Sequence, residues 1–343
     1  MLLLLACACL ACEESPTDAD WFERLGPLET IAGRGSEDRE GQSLWQAAFE
    51  GMPATLVELS RPHAAMADAE GRIYIADKDA HAIRRVGNDG RIVTVAGTSL
   101  PGDDGDSPGL ATQRRLHSPN GLWVRSDGVF YVLDLGNAAV RRVGTDGVMS
   151  TLFRVAQGID QGRGLWVSED EQLAYLSAQQ QLLRWTPSGG VRVHASGFVE
   201  LGAVLPDLDG RILVADRGAH QVYRLSFDGR EREPIAGTGS NDGRRSQLAL
   251  NTSLAGVRAL WVCEDGRILL GTHEGSQVWR LERSGLISLL IDGEPGAHAG
   301  DGESLSSLGK KLSEVRFLSV TPSGDLLITE NDFGFVRRAQ LKR

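Results

Sequence analysis

Short apolar segments alternate with glycine-containing turns along most of the chain. The clearest unit begins at Pro62 and contains an apolar segment, a Glu-Gly turn and a second apolar segment that ends in Ala76-Asp77. A loop, the segment Ile83 to Val86, an Asp-Gly turn and a last apolar segment up to Thr98 complete it. Segments of about five residues with such turns between them are typical of antiparallel hairpins. The pattern therefore predicts a unit of four antiparallel strands.

This unit occurs six times, and the third copy is degenerate. The first turn of each copy lies at Gly71, Gly128, Glu171, Gly210, Gly266 and Gly324, a spacing of 39 to 58 residues. The shorter spacings are close to the ~40–45 residues of a propeller blade, and the longer ones leave an insertion of roughly 15 residues between blades. We predict an all-β fold, a six-bladed β-propeller with four-stranded blades.

The two ends of the chain predict how the ring closes. The last copy stops after its third strand, Phe335 to Leu341, and the segment from Leu28 to Gly33 matches the fourth strand of the other copies. An N-terminal strand would then complete the last blade and remove an open sheet edge. The 343 residues, long enough for two domains, are thus interpreted as one ring over residues 27–343.

Composition narrows the possible partners. The chain has 42 glycines, 12 prolines and only 6% aromatic residues, which fits a protein of many tight turns. It carries 46 acidic and 36 basic residues, for a net charge of −10. We expect no nucleic-acid partner, because such proteins normally present a basic surface.

The N-terminus is apolar from Met1 to Cys12 and polar afterwards. The apolar part is shorter than the ~20 residues that span a bilayer, and Cys9-Leu10-Ala11-Cys12 resembles the lipobox of a bacterial lipoprotein signal peptide. This resemblance implies a signal peptide over residues 1–12, lipidation at Cys12, a linker over 13–26, and a place in the bacterial cell envelope, periplasm-facing or at the surface. The only membrane contact would be the lipid anchor. An accidental apolar start is the alternative, since a basic n-region is missing.

The repeated motifs themselves resemble those of the NHL-repeat family of six-bladed propellers. The resemblance rests on Gly-Arg-Ile-Tyr-Ile-Ala-Asp from Gly71, Ile-Arg-Arg-Val from Ile83 and Thr-Val-Ala-Gly-Thr from Thr94, in the same internal order. The resemblance implies the six-bladed propeller fold. Because that family includes binding platforms, lyases and lactonase-like relatives, it does not imply one function.

One position in each copy predicts a binding site. The residue just before each first strand should point to the mouth of the central channel, and the residues there are His63, Asn120, Arg163, Gly202, Arg258 and Arg316. The long insertions, residues 34–61, 99–118, 239–256 and 294–314, are expected to crowd the same face. Converging guanidinium groups suit a carboxylate or phosphate. Alternatively, these arginines pair with insertion residues such as Asp103, Asp104, Asp242 or Asp301 and bind nothing.

Residues that recur from blade to blade are interpreted as structural. This group comprises the blade aspartates and histidines Asp77, Asp134, Asp216, His81 and His220, the arginines Arg84, Arg85, Arg141, Arg142, Arg224, Arg280, Arg337 and Arg338, and the tryptophans Trp123, Trp166 and Trp261. We expect the aspartates and histidines to form hydrogen bonds within their blades. The arginines are expected to pack on the blades or to carry solvated charge, and the tryptophans to belong to the core between blades. Cys263 is expected to be a small core residue.

These features predict a non-enzymatic binding or assembly platform with an unknown protein or a small anionic ligand at the channel mouth. The alternative is a metal-dependent hydrolase, lactonase-like enzyme or lyase with its site at the same mouth. In its favour, Pro119-Asn120-Gly121 resembles the Pro-Asn-Gly that donates a metal ligand in lactonase-like propellers. Because arginines occupy most of the other register positions, we predict no metal, no cofactor and no catalytic residue.

Overall fold

The structure is a computed structural model that describes residues 21–35 and 40–342, and its described part is all-β with six antiparallel sheets. Blade 1 comprises β2 (Pro62–Ala67), β3 (Ile73–Asp77), β4 (Ala82–Val86) and β5 (Ile92–Ala96). Blade 2 comprises β7 (Pro119–Val124), β8 (Phe130–Asp134), β9 (Ala139–Val143) and β10 (Val148–Arg154), with the short β6 (Gly109–Leu110) added at its outer edge. Blade 3 comprises β11 (Leu165–Val167), β12 (Ala174–Ala178), β13 (Gln181–Thr186) and β14 (Gly190–Ser196).

The second half of the ring follows the same order. Blade 4 comprises β15 (Leu201–Pro206), β16 (Ile212–Asp216), β17 (Gln221–Leu225) and β18 (Arg232–Ala236). Blade 5 comprises β19 (Val257–Val262), β20 (Ile268–Thr272), β21 (Gln277–Leu281) and β22 (Ile287–Ile291), and blade 6 comprises β23 (Val315–Val320), β24 (Leu326–Glu330), β25 (Phe335–Leu341) and β1 (Leu25–Ala32). Short 3₁₀ turns lie at Trp21–Arg24, Ala47–Phe49, Ala54–Leu56, Lys78–Ala80, Ala111–Gln113, Leu135–Asn137 and Ala249–Asn251.

The predicted six-bladed propeller and its closure are confirmed. Strand β1 pairs with β25, so the N-terminal strand completes blade 6 from the outside. The six first strands contact one another in ring order, and β23 of the last blade contacts β2 of the first. Ahead of β1, the turn at Trp21 packs on the same blade, where the indole Nε1 donates to the Gly324 carbonyl at 2.8 Å. The ring therefore leaves no gap between its first and last copies.

The recurring carboxylates and arginines stabilise the blades from within. Asp77 accepts hydrogen bonds from the Ser60 backbone N–H at 2.5 Å and from Arg84 Nε at 3.2 Å. Asp134 bonds Arg141 and Glu330 bonds Arg337 in the same way, as expected for internal blade contacts. The expectation of solvated charge was wrong for these three arginines, because each side chain is at most 3% exposed.

The insertions follow a different course from the predicted one. Instead of only crowding the mouth, their middle parts run to the outer edge of the next blade. Ala54, in the insertion before blade 1, accepts from the Gly33 N–H and donates to the Gly90 carbonyl, which joins two neighbouring blades. Ala111 and Ala249 make the equivalent pairs of bonds in the next two such insertions. We call each of these segments a clasp.

The clasps also account for the glycine that ends the fourth strand. Gly97 has a φ of 88°, and a Cβ placed there would collide with the His81 carbonyl. A side chain would therefore disrupt both the backbone conformation and the packing at the position that bonds Ala111.

Candidate functional site at the channel mouth

A β-bulge sets the direction of most mouth residues. In blade 1, Pro62 pairs with Asp77 and Ala64 pairs with Ala76, so His63 is the extra residue of its strand. The bulge recurs at the positions of Asn120, Arg258 and Arg316. Bulges bend a strand and re-aim a side chain, which explains how residues at the edge of each blade all turn toward one point.

The predicted site residues come together in the structure. A cavity of 20 Å³ is lined by His63, Asn120, Arg163, Ala203, Arg258, Arg316 and Phe317. Blade 4 contributes Ala203 rather than Gly202, which has no side chain to offer. The cavity is large enough for about one water molecule, so a larger ligand would sit above it with one group inserted.

Histidine 63 joins two of these side chains as a neutral group. Arg316 Nη2 donates to His63 Nε2 at 2.9 Å, and His63 Nδ1 bonds the Asn120 Oδ1. Asn120 Nδ2 in turn donates to the Gly162 carbonyl. These partners assign the imidazole proton to Nδ1. Burial, with the charges of Lys78, Arg258 and other cations, lowers the pKa of His63 well below its usual value.

Two glutamates that the sequence analysis did not single out hold the arginines in place. Glu314 Oε1 accepts from Arg258 Nη1 at 3.0 Å, from His273 Nε2 at 2.7 Å, and from Arg316. This carboxylate therefore orients two cations and one neutral ring at the same time.

The second glutamate, Glu200, binds arginines on the opposite side of the mouth. Glu200 Oε1 lies 2.6 Å from Arg163 Nη1 and 2.9 Å from Arg217 Nη1. Burial lowers the pKa of the Arg163 guanidinium, and burial with the neighbouring Arg163 lowers that of Arg258 further. Because guanidinium groups of like charge lie close together here, binding of an anion between them is favoured.

The residues that sequence reasoning missed carry a readable signal. Glu200 and Glu314 stand directly before first strands, and Arg217 and His273 directly follow second strands. Both places belong to the face that contains the mouth. These two register positions therefore identify residues that lie close to the mouth.

Asp332 adds a titratable group to this cluster. Burial, together with the adjacent Glu314, raises the pKa of Asp332 to about 7. Burial lowers the pKa of His273 to about 3, with help from Arg258 and Arg217. Near neutral pH the aspartate therefore exchanges its proton, whereas the histidine stays uncharged.

The insertion acids that were the proposed partners of the mouth arginines bind elsewhere. Asp103 pairs with Arg141 at 2.8 Å, Asp104 with Arg115 at 2.6 Å, Asp242 with Arg244 at 3.3 Å and Asp301 with Arg337 at 2.7 Å. The alternative holds for Arg258 and Arg316, because their partner Glu314 is the last residue of the insertion 294–314, but the four acids it named pair with other arginines.

The three tryptophans at one register position lie on the inner strands and pack against each other across the ring. Trp123 is 6.4 Å from Trp166 and 6.1 Å from Trp261 between ring centroids. They also pack on the inter-blade clusters, as expected. Because blades 2 and 5 face each other, this contact crosses the centre of the ring.

The donor set at the mouth does not suit a divalent cation. The Asn120 Oδ1 that would be its ligand is engaged by His63, and guanidinium groups surround it. In the part of the chain that the structure describes, no three His, Cys, Asp or Glu side chains are grouped to hold a metal ion. Guanidinium cations beside such an ion would oppose its binding by repulsion.

Two sites of the sequence analysis lie elsewhere. Cys12, the predicted lipidation site, is outside the described residues. Cys263 is half-buried beside the core of blades 5 and 6, and burial raises the pKa of its thiol to about 12. Across residues 21–35 and 40–342, no helix has the length and apolar character to cross a membrane.

Sequence comparison finds distant and much longer relatives. The chain is 24% identical over 314 residues to Teneurin-m of Drosophila melanogaster, which covers 82% of this chain and 11% of the relative. It is 34% identical over 137 residues to Teneurin-3 of Danio rerio, which covers 34% of this chain and 5% of the relative. The chain thus spans about a tenth or less of these relatives. No protein-family model matches it.

Solved structures resemble the whole ring. A protein of unknown function from Bacteroides thetaiotaomicron matches at a TM-score of 0.69 and 14% identity, over 92% of this chain and 75% of that one. An auxiliary nutrient binding protein from the same species matches at 0.66 and 11%, over 92% and 76%. A streptogramin B lyase matches at 0.60 and 12%, over 94% and 100%. At these identities the similarity shows the six-bladed propeller fold alone.

Proposed function

We propose that this protein is a non-enzymatic binding module of the bacterial cell envelope that takes a small anionic ligand at the channel mouth. The observation that carries the proposal is the convergence of Arg163, Arg258 and Arg316 on one cavity. A ligand carboxylate or phosphate would insert there and receive charge-assisted hydrogen bonds.

The charge count at the mouth supports an anion. Four guanidinium groups, those of Arg163, Arg217, Arg258 and Arg316, meet the three carboxylates of Glu200, Glu274 and Glu314. An excess of one positive charge remains when Asp332 is protonated. The rest of the protein carries a net negative charge, so the mouth is a local reversal of the overall field.

Rigidity also supports binding without chemistry. His63 is held between Arg316 and Asn120, and Glu314 fixes Arg258. Side chains fixed in this way lose little entropy on binding. A lyase or lactonase-like enzyme at the same mouth remains the competing proposal, since such propellers share the fold, but the engaged Asn120 Oδ1 favours the binding role.

The envelope assignment rests on the lipobox-like Cys9 to Cys12 and on the nutrient-binding protein of similar fold. Lipidation at Cys12 is tested by mass spectrometry of the mature N-terminus from a bacterial host. We expect an acylated N-terminal cysteine, and a Cys12→Ser variant should be released from the membrane fraction. An unmodified start at another residue would refute the anchor.

Ligand binding is tested by titration with inorganic phosphate, D-galacturonate and neutral D-galactose, followed by tryptophan fluorescence. Trp123, Trp166 and Trp261 each follow a mouth residue by three positions, and calorimetry measures the same affinities independently of these rings. We expect both anions to bind and galactose not to bind. Arg163→Gln should weaken anion binding about tenfold, the value of one lost charged hydrogen bond.

Arg230→Gln is the matched control, because that side chain is 86% exposed on the outside of blade 4. It should leave the affinity unchanged. Folded Arg163→Gln protein that binds both anions as tightly as the parent chain would overturn the proposal, and so would equal binding of galactose.

A further inference from the structure

A second cavity lies between blades 4 and 5, and no mouth residue lines it. Its volume is 660 Å³. Its walls come from the β15–β16 turn, the exposed edge of β18, the clasp at Leu248–Asn251 and two turns of blade 5. This volume is in the range of small-molecule sites.

A register comparison explains why the cleft is open here. The second strands of blades 1, 2 and 3 place Tyr74, Tyr131 and Tyr175 opposite an arginine of the third strand. Tyr74 fills the junction with blade 2, where its ring lies 5.1 Å from Phe130 and its hydroxyl donates to Asp68 at 3.1 Å. Blade 4 has Leu213 at this register position.

Other leucine junctions are filled by aromatic residues from elsewhere in the chain. Trp21 and Phe22 pack on the cluster that contains Leu269, between blades 5 and 6. Trp45 and Phe49 pack with Leu327, between blades 6 and 1. Between blades 4 and 5, Trp279 packs in the cluster that contains Leu213, but no aromatic side chain lines the cleft itself.

The cleft instead presents apolar surface to solvent. Leu208, Leu248 and Leu250 are 56%, 51% and 50% exposed, and all three line it. Their clustering in a concave site marks a binding surface rather than scattered surface leucines.

Two charged side chains on the walls are available to a ligand. Asp207 is neutralised by Arg224 at 2.9 Å. By contrast, neither Arg283 nor Glu233 forms an ion pair with any residue in the described ranges 21–35 and 40–342. The cleft therefore offers one cation and one anion beside an apolar floor.

We propose that this cleft binds a small zwitterion with an aromatic or branched apolar side chain, of the amino acid or short peptide class. The apolar group would occupy the space that a tyrosine fills in blades 1 to 3. Its carboxylate would pair with Arg283 and its ammonium group with Glu233.

Three probes of one shape test the charge pattern. L-phenylalanine carries both charges, hydrocinnamate only the carboxylate and phenethylamine only the ammonium group. Saturation-transfer NMR and calorimetry should rank L-phenylalanine as the tightest. Arg283→Gln should weaken the binding of L-phenylalanine and hydrocinnamate roughly tenfold and leave that of phenethylamine unchanged. Glu233→Gln should weaken the binding of L-phenylalanine and phenethylamine and leave that of hydrocinnamate unchanged.

Leu213→Tyr tests the location. The new hydroxyl would face Asp207, which sits in the same turn geometry as Asp68 beneath Tyr74. This variant should fold and lose L-phenylalanine binding at least tenfold, whereas Arg192→Gln on blade 3 should bind as the parent does. If Leu213→Tyr fails to fold, Leu250→Lys at an exposed wall position replaces it. Equal binding of all three probes, undiminished binding in the folded cleft variant, or no binding at all would overturn the proposal.

Discussion

Blades 1, 2 and 6 differ from blades 3 and 4 at one position in the third strand. The first group has Arg84, Arg141 and Arg337 there, each buried against a carboxylate of the second strand. At the same ladder position blade 3 has Leu183 and blade 4 has Tyr223. The same pair of strands is therefore stabilised by a buried ion pair in some blades and by an uncharged side chain in others.

The difference follows the insertions. Arg84 lies 3.7 Å from the Trp45 ring, Arg141 is 2.8 Å from Asp103, and Arg337 is 2.7 Å from Asp301. All three partners belong to the insertion that precedes the blade, and blades 3 and 4 follow short connections. An insertion and its buried arginine thus form a matched structural pair, which explains why these insertions lie over the blades and not only over the mouth.

Blade 5 makes the same pairing with the roles exchanged. Trp279 occupies the strand position, and Arg245 of the preceding insertion lies 5.9 Å from its ring. Complementarity between a cation and a ring is therefore preserved while the residues change places.

We expect the largest loss of unfolding free energy when one buried arginine is removed. Arg84→Leu would leave Asp77 buried without its cation, which typically costs about 3–5 kcal/mol of unfolding free energy. Adding Asp77→Ala recreates the residues of blade 3, Leu183 with Ala178, and should recover part of the loss. Recovery should be incomplete because Asp77 also accepts from Ser60.

Urea denaturation measures both variants, and Arg184→Leu on the exposed surface of blade 3 is the control, with a change within about 0.5 kcal/mol. A cost below about 1 kcal/mol for Arg84→Leu would show that the charged pair does not distinguish the two kinds of blade.

A smaller effect is expected from the contacts between ring and cation. Trp45→Ala should lower the unfolding free energy by about 2 kcal/mol, because it removes a ring stacked on a buried guanidinium. Arg245→Ala should cost under about 0.5 kcal/mol, since that side chain is 57% exposed. If Trp45→Ala and Arg245→Ala lowered the unfolding free energy equally in thermal or urea unfolding, the distinction between a buried and an exposed contact of cation and ring would be contradicted.

The smallest effect concerns the mouth and its pH dependence. As the pH falls from 8 to 6, Asp332 takes up a proton because its pKa is raised to about 7 by burial and Glu314. One negative charge disappears beside the guanidinium groups, so galacturonate, ionised throughout this range, should bind about two- to fivefold tighter at pH 6. The pKa values of His63 and His273 are lowered, so these rings stay neutral in this window.

Fluorescence titration across this pH range checks the prediction, and Asp332→Asn should give a flat profile. Tighter binding at pH 8, or an unchanged slope in Asp332→Asn, would assign the effect to another group.

Much of the fold was predictable because a repeat gives the same information several times. The alternating pattern and turns predicted every blade, and the match between Leu28–Gly33 and the other fourth strands predicted the closure that β1 makes with β25. The register also predicted which residues approach the mouth. It did not predict Glu200, Glu314 or Asp332 as partners there, because ion-pair geometry depends on loops that differ between the copies.

The all-β ring follows from local sequence patterns, since short-range alternation and turn residues are properties that six copies repeat. The course of the insertions, the pairing of acids with arginines and the unfilled cleft between blades 4 and 5 are visible only in the folded protein. These depend on contacts between residues far apart in the chain, such as Arg61 with Asn331 or Arg163 with Glu200. Such contacts are set by packing volume and desolvation in three dimensions, which no local pattern records.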